Sequence, residues 1–480
     1  MGILLHMSVW GNGMATTGTK KWWKNAVVYQ IYPHSFCDSN GDGIGDLPGI
    51  TSKLNYLKNL GVDIIMLGPI FPSPCLDKGY DISDFKGINP ELGTMEDMER
   101  LISRAKKNGI KIILDISINS TSDEHQWFKK ALAGDEKYKD YYYFAKGNNS
   151  KNPNNWRSLC GGSAWTKTGN GDFYLHILGE HQPDLNWENP AVYNEIVDVM
   201  KFWMDKGIAG FRLDTANAIC KDSLSNGKFS FSYRGKEHYL HTEGSHDILR
   251  RLKEDVWANY KGFIVGETVL ASQEEAKLLC DEGRNELDAV FYFGRMDVDR
   301  LHCRRLIRKR NVRKLIRFVD KGQSSLNFPV NYIEVGPTAC YSKYFGDDKV
   351  NCHSFEKMLT GLNFSLRGIP FISEGLSPEF TGSPDDPTSL YTFCSRMVDF
   401  RKNSKALSDG KYRRVGSQND VYIFTREAIE ERVYVYCNFS NNSSPVEFYG
   451  DRIVFSNYSI DSLRYDVLKP YEFRIVASNI

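Results

Sequence analysis

Asp214 closes the run GFRLD and Glu267 sits in VGET, each at the end of a short β-branched stretch. In a parallel barrel the reactive groups lie at the C-terminal ends of the strands, so two acids placed this way share one face of the molecule. A carboxylate pair about 5 to 5.5 Å apart is what retaining glycoside hydrolysis requires, one group attacking and the other giving and then taking a proton. The same placement also suits acids that only cap the helices after their strands. Spacing alone leaves both readings open. Arg212 precedes Asp214 by two positions, shares its face of the strand, and is placed to pair with it.

A second cluster follows the first strand. In DSNGDGIGD, Asp38, Asn40, Asp42, Ile44 and Asp46 stand at positions 1, 3, 5, 7 and 9 of one loop, with glycines that allow a tight wrap. Side-chain oxygens at this spacing, with a carbonyl at position 7, suit a hard cation, Ca²⁺ or Mg²⁺. Position 12 is Gly49, so the bidentate Glu of an EF-hand is missing and weaker binding is expected. A plain Asx-turn loop is the competing reading. A metal held here is structural, because the loop lies apart from the two acids, and no motif calls for an organic cofactor.

These residues need a scaffold, and the rest of the chain supplies its pattern. Eight β-branched runs alternate with helical stretches: Val27–Tyr32, Val62–Leu67, Lys111–Ile116, Ala209–Asp214, Phe263–Glu267, Leu287–Phe293, Leu326–Ile333 and Pro370–Ser373. Eight βα units favour an α/β fold closed as a (β/α)8 TIM barrel. Thr94 is set to cap a helix over Met95–Asn108 ended by Gly109, and Asn189-Pro190 to start one over Ala191–Lys206. About 70 residues rich in Asn, Gly, Tyr and Trp follow the third strand, which implies an inserted domain. After a helix near Pro387–Lys402, period-two runs at Val421–Thr425, Val433–Asn438 and Tyr471–Val476 imply a C-terminal antiparallel module. The expected organisation is a disordered leader at 1–21, a barrel at 22–118 and 189–404, an inserted domain at 119–188 and a β-sandwich at 405–480.

The ordered motifs YQIYPHSF, DSNGDGIGD, GYDISDF, NSTSDEHQWF, QPDLNWENP, GFRLDTAN, VGET and YFGDD together resemble the α-amylase superfamily, within it the oligo-1,6-glucosidases and maltase-type α-glucosidases. The resemblance spans residues 22–480. It implies a barrel with an inserted B domain after strand three, Asp214 as nucleophile and Glu267 as acid/base. It also implies Tyr80, Asp81 and Arg212 around the −1 sugar and a small carbohydrate substrate. Thr215, after the nucleophile, is similar to the maltase choice where α-1,6 enzymes usually carry Val.

Departures from the family cluster at the −1 site. Its Asn-His after strand three reads Asn119-Ser120. Its Asn-His-Asp after strand seven reads differently in two registers: from the strand, Ile333 and Glu334 take the His and Asp places; counting back from YFGDD, Gly336 and Pro337 do. We adopt the first, which keeps Glu334 as a third catalytic carboxylate. The stretch Gly375–Asp386 is short, which opens that wall, and His34 stands where the family usually has Arg. Two expectations follow. One is a retaining α-glycosidase or transglycosidase whose −1 sugar is non-standard, Ser120 and Ile333 making room for it. The other is a catalytically inactive relative that binds carbohydrate or a partner.

Composition excludes other classes. With 61 basic against 60 acidic side chains, the net charge of +1 offers no bulk field for nucleic acid. The basic run Arg304–Arg317 is interleaved with Leu306, Ile307, Leu315 and Ile316, which reads as a solvated amphipathic helix. Ten scattered cysteines without a CxxC pair read as free thiols, and the ten histidines show no ligand-like spacing. No run spans a membrane, and no export signal is evident, so a cytoplasmic location is expected. Trp22, Trp23, Trp127 and Trp187 read as packing residues, and nothing in the sequence sets the oligomeric state.

Overall fold

The computed structural model describes residues 21–147, 151–230, 233–291, 312–333, 352–372, 382–418 and 420–478. Its centre is one parallel sheet of eight strands. In spatial order these are Val330–Ile333, Ile369–Ile372, Val28–Ile31, Ile64–Leu67, Lys111–Ser117, Gly210–Asp214, Phe263–Glu267 and Ala289–Phe291. A parallel bridge between Val290 and Pro329 joins the two ends and closes the barrel. Six strands fall within the runs expected from sequence, and Lys111–Ser117 and Ile369–Ile372 overrun theirs by one residue, because strands covered on both faces must be apolar along their length. Gly210 opens the fourth strand at φ 153°, where an added Cβ would lie 1.8 Å from the Phe263 carbonyl oxygen; only glycine lets strands four and five meet there.

Helix boundaries follow their caps. Thr94 and Asp97 form a capping box at the start of Met95–Lys107, which buries Met98, Leu101, Ile102 and Ala105. That helix ends one residue before the expected Asn108, which is its C-cap. Asn189 accepts from the Ala191 amide at 2.9 Å and starts Pro190–Asp205. Of the basic stretch, residues 304–311 lie outside the described residues. The helix observed is Val312–Ser325, with Ile316 buried and Arg313 and Arg317 exposed.

The insertion after strand three carries a three-stranded antiparallel sheet, with Asp172–Leu175 between Phe144–Lys146 and Trp165–Lys167. Its core of Trp156, Trp165, Phe173, Leu175 and Ile177 also takes in Ala218, Tyr233 and Tyr239 from the connection after strand four. The insertion is therefore packed onto the barrel's C-terminal face. A buried ion pair reinforces that seam: Lys221 Nζ lies 2.7 Å from Asp184 Oδ2 and donates to Asn119 Oδ1 at 2.8 Å.

The C-terminal module is a five-stranded antiparallel sheet ordered Lys411–Gln418, Val421–Glu427, Arg432–Asn438, Phe473–Ser478 and Arg452–Ser456. A second layer pairs Ser444–Pro445 with Val467–Leu468. Alternation assigns its faces: Tyr422, Phe424, Val433 and Val435 join the main core, while Val421, Ile423, Tyr436 and Val476 form a cluster of their own. Trp23 and Trp187 are buried, and Trp22 and Trp127 half-buried, each packed on other rings, as expected. The expected leader, apart from Lys21, lies outside the described residues. No helix among those described is long and apolar enough to cross a membrane. Cys37, Cys75, Cys160, Cys220, Cys280, Cys394 and Cys437 are free thiols.

Candidate active site

Strands three, four and five set the site by register. Asp115 pairs with Arg212 and Ser117 with Asp214, while Arg212 pairs with Val265 and Leu213 with Gly266; one step further brings Asp214 level with Glu267. Side chains two apart share a face, so Asp115, Arg212 and Asp214 turn toward the barrel axis together. Arg212 is the hub. Its Nη1 lies 2.6 Å from Asp115 Oδ1 and 2.9 Å from Asp214 Oδ1, and its Nη2 contacts Glu267 Oε2. Tyr80 donates its hydroxyl to Asp115 Oδ2 at 2.8 Å and packs its ring 5.6 Å from the guanidinium.

Burial and charge compete in this cluster. Burial pushes Asp115 up to about 6 despite the neighbouring guanidinium, with Asp214 adding to the rise. Burial alone would pull Arg212 down, yet Asp115, Tyr80 and Asp214 outweigh it and hold the guanidinium well above its ordinary value. Desolvation, then Asp115, drives the Tyr80 phenol well up, so it stays a donor. The two strand-end acids are more open: the Asp214 side chain is 16% exposed and that of Glu267 30%, against 0% for Asp115. The outer pair is thus open to a ligand, and Asp115 is closed off behind the guanidinium.

The remaining expected residues occupy distinct positions. Asp81 is fully buried and turned toward its own loop, accepting from Ser73 Oγ at 2.8 Å, the Leu76 amide at 3.0 Å and the Asp77 amide at 3.1 Å. Thr215 stands at φ 45°, and its hydroxyl, like those of Ser117 and Ser120, is buried without a partner among the described residues. Ile333 ends the seventh strand; Glu334, Gly336 and Pro337 lie outside the described residues, as do residues 375–381 of the short wall.

Sequence reading missed three participants. Asp115, in KIILDIS, was signalled only by a charge inside a strand with six buried positions. Lys221 gave no local signal. Asp77, exposed at the rim, is pushed up by partial burial, by Asp214 and by Asp81, which puts it within the electrostatic reach of the pair.

The Asp38–Asp46 loop presents hard donors. Asp38 Oδ1 accepts from the Asn40 and Gly41 amides at 3.0 and 2.7 Å, and Oδ2 from Gly43 at 2.8 Å. Those amides, Gly41 and Gly43 foremost, hold Asp38 below the usual carboxylate range. Asn40 Oδ1 accepts from Asp42 at 2.9 Å and Asp42 Oδ1 from Ile44 at 2.7 Å. Asp46 caps the helix Leu47–Ser52 through the Gly49 amide at 2.6 Å and takes Ser39 on its other oxygen. Asp38 Oδ2, Asn40 Oδ1, Asp42 Oδ1 and Asp46 Oδ1 each take one donor and keep a further lone pair, so the donor set fits a Ca²⁺- or Mg²⁺-sized ion.

A closed (β/α)8 barrel with two carboxylates on adjacent strand ends, held by one buried arginine, defines the class of barrel glycosidases. Residues 30–384 match the family model described as alpha amylase, catalytic domain, and the chain belongs to the alpha-amylase family of glycoside hydrolases. It is 33% identical to an oligo-1,6-glucosidase of Parageobacillus thermoglucosidasius over 95% of this chain and 98% of that one. The trehalose-6-phosphate hydrolase of Bacillus licheniformis superposes with a TM-score of 0.87 at 28% identity, over 96% of this chain and 100% of that one. The trehalulose synthase of Pseudomonas mesoacidophila MX-45 gives 0.86 at 29% identity, over 95% and 99%. Mutants of that synthase are known in complex with sucrose and with isomaltulose.

Proposed function

We propose that this protein is a retaining α-glycosidase, acting as hydrolase or transglycosidase on short α-glucosides. The observation that carries the reading is the grip of one buried guanidinium on both Asp214 and Glu267. Asp214 attacks the anomeric carbon as the glycosidic C–O bond breaks, and Glu267 gives its proton to the leaving oxygen. Glu267 then takes a proton from water or a sugar hydroxyl, whose oxygen displaces Asp214. Arg212, anchored from below by Asp115, orients the nucleophile, and Glu334 is assigned as the third carboxylate. The names of the relatives, hydrolases and a synthase alike, support the class of reaction and leave open whether water or sugar accepts the glycosyl group.

The substrate assignments go further. Tyr80, Arg212, Ser120, Ile333 and Thr215 line the −1 sugar in this reading, while Asp81 fixes the loop that carries Tyr80. The unpartnered hydroxyls of Ser120 and Thr215 support it, since a buried hydroxyl left unpaired costs about 1–3 kcal/mol that a sugar hydroxyl would recover. Ser120 and Ile333, in place of the family's imidazoles, favour a sugar altered at C6 and at C2 or C3. The Asp38–Asp46 loop holds a structural Ca²⁺ or Mg²⁺ ion.

The test is nitrophenol release from a panel of aryl α-glycosides, including glucosides modified at C2, C3 and C6, with maltose and isomaltose alongside. Asp214→Asn is expected to reduce turnover by on the order of 10⁴-fold or more. Preference for unmodified maltose over every modified sugar would remove the altered −1 sugar. Absence of turnover in the native chain, with sugars still raising its melting temperature, would replace catalysis by carbohydrate binding.

A further inference from the structure

His34, Cys75 and Glu91 share no sequence motif, yet the fold brings them together. His34 lies in the short helix Pro33–Phe36 after the first strand; Cys75 and Glu91 lie in the connection after the second. Their ligand-capable atoms, an imidazole nitrogen, the thiol sulfur and a carboxylate oxygen, all fall within 4.8 Å of one another, and His34 Nε2 is 3.7 Å from Glu91 Oε2. We infer that these three side chains form a binding site for a borderline-soft divalent cation of the Zn²⁺ or Co²⁺ type, separate from the Asp38–Asp46 loop.

Ligand chemistry separates the two sites. The loop offers oxygen alone, which suits Ca²⁺ and Mg²⁺, whereas nitrogen, sulfur and one carboxylate oxygen suit zinc-like ions. Bonds of about 2.0 to 2.3 Å in a tetrahedron put ligand atoms about 3.3 to 3.6 Å apart. Closing from 4.8 Å therefore asks for roughly 1 Å of movement, which exposed or half-exposed side chains make by small rotations. Three protein ligands leave a fourth position for water.

The surroundings hold the three in place. Asn89 is 6% exposed; its Oδ1 accepts from the Glu91 amide at 3.0 Å, while its Nδ2 faces Cys75 Sγ at 4.0 Å. One side chain thus ties two ligand segments together, as supporting partners do in metal sites. The His34 carbonyl accepts from the Gly45 amide at 2.8 Å, which pins the third. Cys75 stands at φ 60°, a conformation a non-glycine residue adopts at a cost, and its amide donates to Ser73 Oγ at 2.8 Å. The adjoining Leu76 and Asp77 amides hold Asp81, so an ion on Cys75 would clamp the rim segment beside Asp214.

The test needs no turnover, so it stands apart from the catalytic reading. Metal-free full-length protein is titrated with Co²⁺ in excess Ca²⁺ and followed by absorbance. One equivalent with a thiolate-to-cobalt charge-transfer band, bleached by Zn²⁺, is expected. The band should vanish in Cys75→Ser, and His34→Ala and Glu91→Gln should each weaken affinity at least about tenfold. Circular dichroism melts of all three variants check that they fold. No band, a band that survives Cys75→Ser, or unchanged affinity in both His34→Ala and Glu91→Gln would overturn the site; if Cys75→Ser does not fold, the other two variants decide.

Discussion

Arg212 brings one positive charge into the barrel and meets three carboxylates there, Asp115, Asp214 and Glu267. Asp115 is the member with no route to water, and its folded value near 6 lies above the ordinary 3.8. The native state therefore binds its proton more readily than the unfolded chain, so ionised burial costs stability above pH 6 and that cost fades as pH falls toward 4. Removing the guanidinium makes the cost larger. Arg212→Ala is expected to lower unfolding free energy by about 3–5 kcal/mol at pH 7 in urea titrations, because a buried charge loses its partner. The loss should shrink at pH 5 and be partly recovered in Arg212→Ala with Asp115→Asn. A loss under about 1 kcal/mol at pH 7 would show that the guanidinium does not balance the core charge.

Single elements depend on their caps. The helix Gln126–Leu132 begins at His125, whose Nδ1 accepts from the Trp127 amide at 3.1 Å and so must lack a proton there. Burial holds that imidazole down to about 4, against an ordinary 6.5. The native state thus binds fewer protons in this window: His125 contributes its full stability above pH 6.5 and loses it as pH falls through 4. Between pH 7 and pH 5 this amounts to about 2 kcal/mol. His125→Asn keeps a cap oxygen and removes the titration, so denaturant titrations should show it losing less stability than the native chain over that interval. Equal losses would assign the acid sensitivity to the other buried imidazoles, His176 and His241, which burial also holds down.

Across the whole molecule, the C-terminal face of the barrel gathers its functional parts. The Asp38–Asp46 loop follows strand one, the Cys75–Asp81 rim follows strand two, and the insertion follows strand three, fastened through Lys221 to the connection after strand four. An ion in the first loop acts on this assembly through stability. Ca²⁺ added to metal-free protein at about 100 times its dissociation constant should stabilise the fold by about 2.7 kcal/mol, read as a rise in melting temperature. Asp42→Ala should lose that rise and leave turnover at moderate temperature in place. Turnover abolished by chelation with an unchanged melting temperature would move the ion into the chemistry.

The chain's own pattern determined the eight strands, the inserted and C-terminal modules, the caps at Thr94 and Asn189, and the two strand-end acids. These are set by neighbours along the chain: apolar runs must be covered, and a cap must lie beside its helix. Glu334 and residues 375–381 of the short wall fall outside the described residues, so the structure adds nothing to their reading. What tertiary structure alone decided is who meets whom far along the chain: Asp115 beneath Arg212, Lys221 against Asp184, and His34 with Cys75 and Glu91. Asp81 looked like a pocket residue and faces its own loop, because the amides of Leu76 and Asp77 needed an acceptor there. Periodicity fixes the face on which a side chain stands; barrel closure and register fix what stands opposite.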